Sequence, residues 1–114
     1  MSKISTIDLY WAAGFLDGEG SFHMNKRNQL RVSAGQKDTW ALEKLQRMFG
    51  GSIYSHTPPG LNTQYQWHAM SRRGAGVMMT LYVLLSPYRQ AQIERALASW
   101  KTKPARLCKY PIHT

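Results

Sequence analysis

Two acids set among glycines at the end of an apolar run constrain this chain more than any other feature. The run reads Trp11-Ala12-Ala13-Gly14-Phe15-Leu16-Asp17-Gly18-Glu19-Gly20-Ser21-Phe22. On a helix, Gly14 and Gly18 lie four apart and share one face, which Ala13 widens. So flat a side lets another backbone approach closely. Gly18 and Gly20 are expected to end the helix, since glycine readily takes the left-handed conformation of a helix stop. Asp17 and Glu19 then sit at or just past the C-terminal end, where the helix dipole disfavours carboxylates. The chain has six acids in all, and two stand in this unfavourable place. That cost points to a function. Divalent-metal binding is the obvious one, because hard cations take carboxylate and backbone oxygens.

The surrounding sequence alternates helix and hairpin patterns. Ser5-Thr6-Ile7-Asp8 fits a capping box, so the first helix is expected over 6–17. Residues 21–27 then alternate with period two, with Phe22 and Met24 on one side and Ser21, His23, Asn25 and Arg27 on the other. Arg27-Asn28 reads as a turn. Residues 29–36 alternate again, setting Leu30, Val32 and Ala34 against Gln29, Arg31 and Ser33. Asp38 or Thr39 caps a second helix over 40–49, with Trp40, Leu42, Leu45, Met48 and Phe49 as its core stripe. Gly50-Gly51 ends it. A second hairpin turns at 57–62 and presents Tyr54, His56, Gln64, Gln66 and His68 opposite Ile53, Tyr65, Trp67 and Ala69. Residues 73–76 lead into a buried third helix over 77–85. A fourth runs over 88–100 with Ile93, Leu97 and Trp100 inward. Trp40 and Trp67 are both expected in the core.

The expected class is therefore α+β. The two hairpins join into one four-stranded antiparallel sheet, with helices on one face and a polar, basic, acid-free surface on the other. Residues 1–101 form a single domain, followed by a basic tail at 102–114. A net charge of +9 and a pI near 10.1 point to a polyanionic partner. Cys108 is the one cysteine, which rules out a disulfide framework or a cysteine-based zinc site within one chain. No apolar run reaches the ~18 residues of a membrane helix, and Met1-Ser2-Lys3 opens no signal-peptide core. The expected setting is the cytoplasm of a bacterial or phage-infected cell, or an organelle interior, with no membrane partner.

Residues 12–20 resemble the signature of the LAGLIDADG homing endonucleases, with Asp17 at its first acidic position and Glu19 at its second. Ala12 replaces the leading leucine, Gly18 an alanine, and Glu19 an aspartate. The resemblance extends over roughly 9–97 and implies an αββαββα core whose saddle lies along the DNA major groove. With one motif, it implies an intron-encoded endonuclease acting as a homodimer on a long, near-palindromic duplex. The seam would be formed by Ala13, Gly14, Asp17 and Gly18. Packing of that flat side inside the monomer, against the third helix, is the alternative.

The resemblance also implies the chemistry. Glu19 and the backbone oxygen of Gly18 would hold Mg²⁺, while Asp17 serves the helix end. Gln36 and Lys37 match the place of a glutamine and a basic residue near the catalytic centre. The second basic residue, which precedes the last helix in the family, has no clean counterpart, and Arg89 is the candidate. DNA-reading residues would be Ser21, His23, Asn25, Arg27, Gln29, Arg31 and Ser33 from the first hairpin. Tyr54, His56, Gln64, Gln66 and His68 would serve from the second. Two other functions fit the residues less fully. One is the same fold used only to bind, as a DNA-binding regulator or an RNA splicing maturase. The other is an unrelated basic RNA-binding module, against which the helix-first order argues.

Overall fold

A computed structural model describes residues 4–101; the basic tail expected at 102–114, with Cys108, lies outside the described residues, as does 1–3. The chain enters through α1 (Thr6–Glu19). The Ser5 hydroxyl accepts from the Asp8 amide at 3.1 Å, which fixes the helix start. The Asp8 carboxylate turns away and pairs with Lys44 at 3.2 Å, so half of the expected capping box is in place.

The end of α1 differs from expectation. The helix continues through Gly18 and Glu19, and the next residue, Gly20, already opens β1 (Gly20–Met24). Gly20 is extended, with φ −91° and ψ 172°, so no left-handed stop exists here. The glycine is needed for closeness instead. A Cβ on Gly20 would stand 2.7 Å from the Leu16 carbonyl oxygen, too near for any side chain.

Strand β2 (Leu30–Gln36) pairs with β1, α2 (Trp40–Phe49) follows, and β3 (Ser52–His56) and β4 (Gln64–Met70) form the second hairpin. The sheet is antiparallel throughout, in the order β1-β2-β4-β3. Thr39 occupies the N-cap of α2 but makes no side-chain cap bond. Gly50 and Gly51 have φ of 78° and 97° and turn the chain from α2 into β3. The buried Trp67 indole donates to the Gly50 carbonyl at 2.8 Å, which ties that turn to the core.

The third helix also departs from expectation. α3 (Ser71–Leu81) starts before its glycines, and a short 3-10 turn (Tyr82–Leu84) precedes α4 (Pro87–Lys101). Gly74 lies inside the helix because it is pressed against the sheet, where a Cβ would meet the Ala69 carbonyl at 2.8 Å. The apolar run is not wholly buried, since Met79 and Val83 face outward. Pro87 opens α4, a position where its missing amide proton costs nothing. The core lies between the helices and the inner sheet face, around Leu16, Phe22, Leu30, Val32, Leu42, Leu45, Trp67, Met78, Leu81 and Ile93. Trp40 is not part of it. At 63% exposure it stands edge-on to Trp11, with Lys44 beside both rings.

Gly51 carries the sharpest test of this packing. Its φ is positive, and a Cβ there would lie 2.5 Å from the His68 carbonyl oxygen and 2.8 Å from the Trp67 indole nitrogen. Gly51→Ala is expected to cost about 2–4 kcal/mol in urea denaturation. Gly60→Ala has open space around it and meets only the strain of its own φ, so it should cost less.

Candidate nucleic-acid interface

The open face of the sheet is set by strand register. Ser21, Ser33, His68 and Ser52 form one row across all four strands. His23, Arg31 and Met70 form the next row on one side, and Gly35, Gln66 and Tyr54 the next on the other. His56 pairs with Gln64 beyond them. No acid lies on this face. Asp8, Asp17 and Glu19 are on α1, Asp38 precedes α2, Glu43 is on α2 and Glu94 on α4. A surface with donors and basic groups but no carboxylate suits a polyanion.

Three of the expected reading residues are not on strands. β1 ends at Met24, so Asn25, Arg27 and Gln29 belong to the turn. The Asn25 side-chain oxygen accepts from the Arg27 and Gln29 amides, both at 2.9 Å, and its nitrogen donates to the Gln29 side chain at 3.0 Å. Asn25 and Gln29 therefore build the hairpin tip, with Asn28 at φ 61°, and Arg27 is left exposed on it. The alternation runs on past the strand end because an Asx-type turn uses the same polar residues.

Around His68 the face is already knitted together. Arg31 Nη2 and His68 Nε2 are 2.7 Å apart, and the Tyr54 and His68 rings are 5.0 Å apart. Ser21 bonds the His23 ring at 3.1 Å. Burial, and secondarily the Arg31 charge, hold both His23 and His68 below the ordinary imidazole pKa.

At one end of this face stands the terminus of α1. The Gly20 amide donates to the Leu16 carbonyl, and Arg89 Nε donates to the Asp17 carbonyl at 2.9 Å. The Asp17 carboxylate accepts from the Ser86 amide at 2.9 Å, and this bond holds its pKa below the usual carboxylate value, with Arg89 helping. Arg89 also donates to Gln92 at 3.1 Å. Asp17 and Arg89 thus bind the end of α1 to the start of α4 from both sides. Glu19, two residues on, is exposed, and among the described residues no hydrogen bond or ion pair holds it. Strand β2 runs two residues past Ala34, the partner of Gly20. Gly35 and Gln36 therefore continue beside the α1 terminus, with the exposed Lys37 following.

The flat side of α1 is partly as expected. Gly14 and Gly18 are exposed, and a Cβ on either would have nothing within 4 Å. They do not pack inside the monomer. Ala13 is a correction: at 2% exposure it belongs to the core, because one residue turns about 100° on a helix and carries it off the Gly14 face. Ile7 and Tyr10 join Gly14 and Gly18 on the outer side, 80% and 61% exposed. Among the described residues, no cluster of three His, Cys, Asp or Glu stands ready to hold a metal. One chain supplies the Glu19 carboxylate and the neighbouring Gly18 carbonyl and no further acid beside them. No helix among the described residues is long and apolar enough to cross a membrane.

No family model matches the chain. It is 38% identical over 67 residues to an intron-encoded DNA endonuclease, ai2b, of Dictyostelium discoideum, a stretch covering 54% of this chain. The chain spans about a quarter of that relative's length, 24%. Its fold is similar to that of the homing endonuclease I-CvuI, solved with DNA in the presence of Mg, with a TM-score of 0.69 at 17% identity over 86% of this chain and 68% of that one. It is similar also to the group I intron-encoded homing endonuclease I-CeuI bound to DNA, with a TM-score of 0.66 at 15% identity over 89% and 57% of the two chains. The LAGLIDADG meganuclease I-CpaMI, bound to uncleaved DNA, gives 0.66 at 19% identity over 90% and 39%. The resemblance read from residues 12–20 therefore extends to the fold: this chain has the fold of the LAGLIDADG homing endonucleases.

The Asp17 lock makes a pH-dependent prediction. A carboxylate whose pKa is lowered by folding stabilises the protein above its unfolded pKa of about 3.8, and that contribution fades as pH falls through the folded value. Asp17→Ala should therefore lower the melting temperature clearly at pH 7 and much less near pH 3. An equal loss at both pH values would show that the charge of Asp17 contributes nothing.

Proposed function

We propose that the chain is a site-specific, Mg²⁺-dependent double-strand DNA endonuclease of the homing type that acts as a homodimer. The observation carrying this reading is the exposed, unpartnered Glu19 carboxylate at the edge of an acid-free saddle. An acid with no partner beside a surface built for phosphates is a liability for a pure binder, since it repels what the surface attracts. Glu19 fits a hard-cation site, with the Gly18 carbonyl as second ligand, because both offer oxygen at an exposed helix end. Such a metal, when bound, polarises the scissile phosphate and activates water.

The chain's own residues have distinct tasks. The saddle residues Ser21, His23, Arg31, Ser33, Tyr54, His56, Gln64, Gln66 and His68 orient the duplex by contacts to base edges, and Arg27 adds a cation at the hairpin tip. Gln36, beside the α1 terminus, holds a water by hydrogen bonding, and Lys37 offsets charge that develops on the phosphate. Asp17 keeps the helix end fixed by holding Ser86. Two-fold pairing through Ile7, Tyr10, Gly14 and Gly18 covers an apolar face the monomer leaves open, and brings two Glu19 side chains toward one centre. The carboxyl groups so gathered make up for the ligands that one chain lacks. The curated relative's intron-encoded character makes the uninterrupted host locus the natural target.

One observation favours a second reading, a binder or RNA maturase of the same fold. Arg89, the candidate for the second catalytic cation, is already engaged by Asp17 and Gln92.

The two readings separate in one assay. Glu19→Gln should reduce Mg²⁺-dependent cleavage of the uninterrupted locus by at least about a hundredfold while leaving the gel shift intact. A tight shift without any cut by the wild type would establish the binder instead. The dimer is tested apart from the chemistry. Gly14→Leu has open space in the monomer, so it should leave the melting temperature of the monomer near wild type yet abolish the dimer in sedimentation equilibrium. A wild-type protein that sediments as a monomer at tens of micromolar would sink the two-fold model.

A further inference from the structure

Arg31 stands on β2, which is flanked by β1 and β4, in the row between His23 and Met70. Its Nε is buried and has no hydrogen-bond partner. The side edge of the guanidinium is thus closed, and only its Nη end can meet a ligand. That end is also held. Arg31 Nη2 lies 2.7 Å from His68 Nε2, and because a guanidinium only donates, the ring nitrogen must accept. His68 is therefore neutral, with its proton on Nδ1. Gln66 Oε1 is set 3.0 Å from the same nitrogen; two acceptors cannot bond each other, so with Arg31 as the donor the Gln66 amide is turned over, its nitrogen toward the ring. The Tyr54 ring also packs against it, with centroids 5.0 Å apart.

The groups facing His68 come from every strand: Arg31 from β2, His23 from β1, Tyr54 from β3 and Gln66 from β4. None is an acid. Burial, Arg31 and His23 all disfavour the charged ring, so the acceptor state persists at neutral pH. An arginine fixed in this way loses little freedom on contact, unlike the exposed Arg27.

Resting on the reading of this face as a DNA surface, we propose that Arg31 and His68 act as one unit that reads a guanine: Arg31 makes the contact, and His68 is the positioning residue that aims it. Guanine offers O6 and N7 as adjacent acceptors in the major groove, which match the two Nη groups of an arginine presented end-on. Phosphate would accept the same donors from any direction and would not need the side edge shut or the far nitrogen pinned.

The test uses the duplex that the wild-type protein selects from a randomised pool, with each base pair then replaced in turn. One G·C pair should cost the wild type about tenfold in affinity when replaced. Arg31→Met should erase that preference. His68→Ala should erase it too, with the double variant no worse than either. His68→Gln should keep it, because its side-chain oxygen can still accept from Arg31. His68→Ala retaining the preference, or losses that multiply in the double variant, would remove the pairing while leaving DNA binding untouched. Selection of no duplex by the wild type would overturn the DNA reading and the guanine assignment together. Nitrogen NMR gives a readout independent of DNA. The His68 ring should be the neutral Nδ1–H tautomer at pH 7, and its titration should move up toward 6.5 in Arg31→Met. An unmoved titration counts against the unit.

Discussion

The passage from α1 into β1 without a loop is the constraint on which the rest of the structure depends. A helix and a strand can join this directly only if the first strand residue lets the backbone pass within contact distance of the preceding turn. Gly20 does so, with the Leu16 carbonyl oxygen where its Cβ would be. The junction fixes the rotation of α1 about its axis. Ala12, Ala13 and Leu16 then face the sheet, and Gly14 and Gly18 face away. It also fixes where Glu19 stands, one residue before a strand whose register with β2 is set by five pairs. The position of the acid relative to the open face is thus a property of the backbone and not of a mobile side chain on a loop.

Charge is sorted around this frame. The chain carries 15 lysines and arginines against six acids, and no acid falls on the open face. Among the saddle's ionisable groups, the two histidines beside Arg31 are kept neutral by burial and by its charge. The face therefore presents one held cation, Arg31, among neutral donors and acceptors, with Arg27 exposed at the hairpin tip. That combination favours reading base edges over indiscriminate attraction to phosphate, since a uniformly basic surface binds any duplex alike.

Much of this was legible in the residues because the sheet is half-buried. Strict alternation is the signal that such strands leave, and it placed Arg31, Ser33, Gln66 and His68 on one face correctly. Residues 12–20 are legible because carboxylates at a glycine-rich helix end work against the helix dipole and so ask for a reason. What stayed hidden depends on contacts distant in sequence. Arg89 meets Asp17 across 72 residues, and no local pattern shows that a basic residue caps another helix. Gly74 looked like a loop because glycine weakens helices, whereas the approach of Ala69 explains it. Trp40 has core spacing, yet at the first turn of α2 it is exposed, its ring edge-on to Trp11 of α1. Ala13 is small like Gly14 but lies about 100° around the helix from it, in the core.

The two acids of the motif differ in what surrounds them, and that difference explains how the chain tolerates both. Two residues apart on a helix, they point to nearly opposite sides, about 160° apart. Asp17 turns toward α4, where the Ser86 amide and Arg89 offset its charge, and the Asp17 carbonyl accepts from the same arginine. The unfavourable dipole at the helix terminus is thereby compensated inside the chain. Among the described residues Glu19 receives no such compensation. Its charge is left for something outside the monomer to neutralise, and it lies beside an exposed apolar stripe that also lacks a partner within the chain. Repulsion between two Glu19 carboxylates would oppose closure of that stripe on its twin. On the proposed reading, Glu19 and the Gly18 carbonyl of each copy would hold a divalent cation that offsets this repulsion, so metal binding and self-association would reinforce each other, with a coupling equal in both directions.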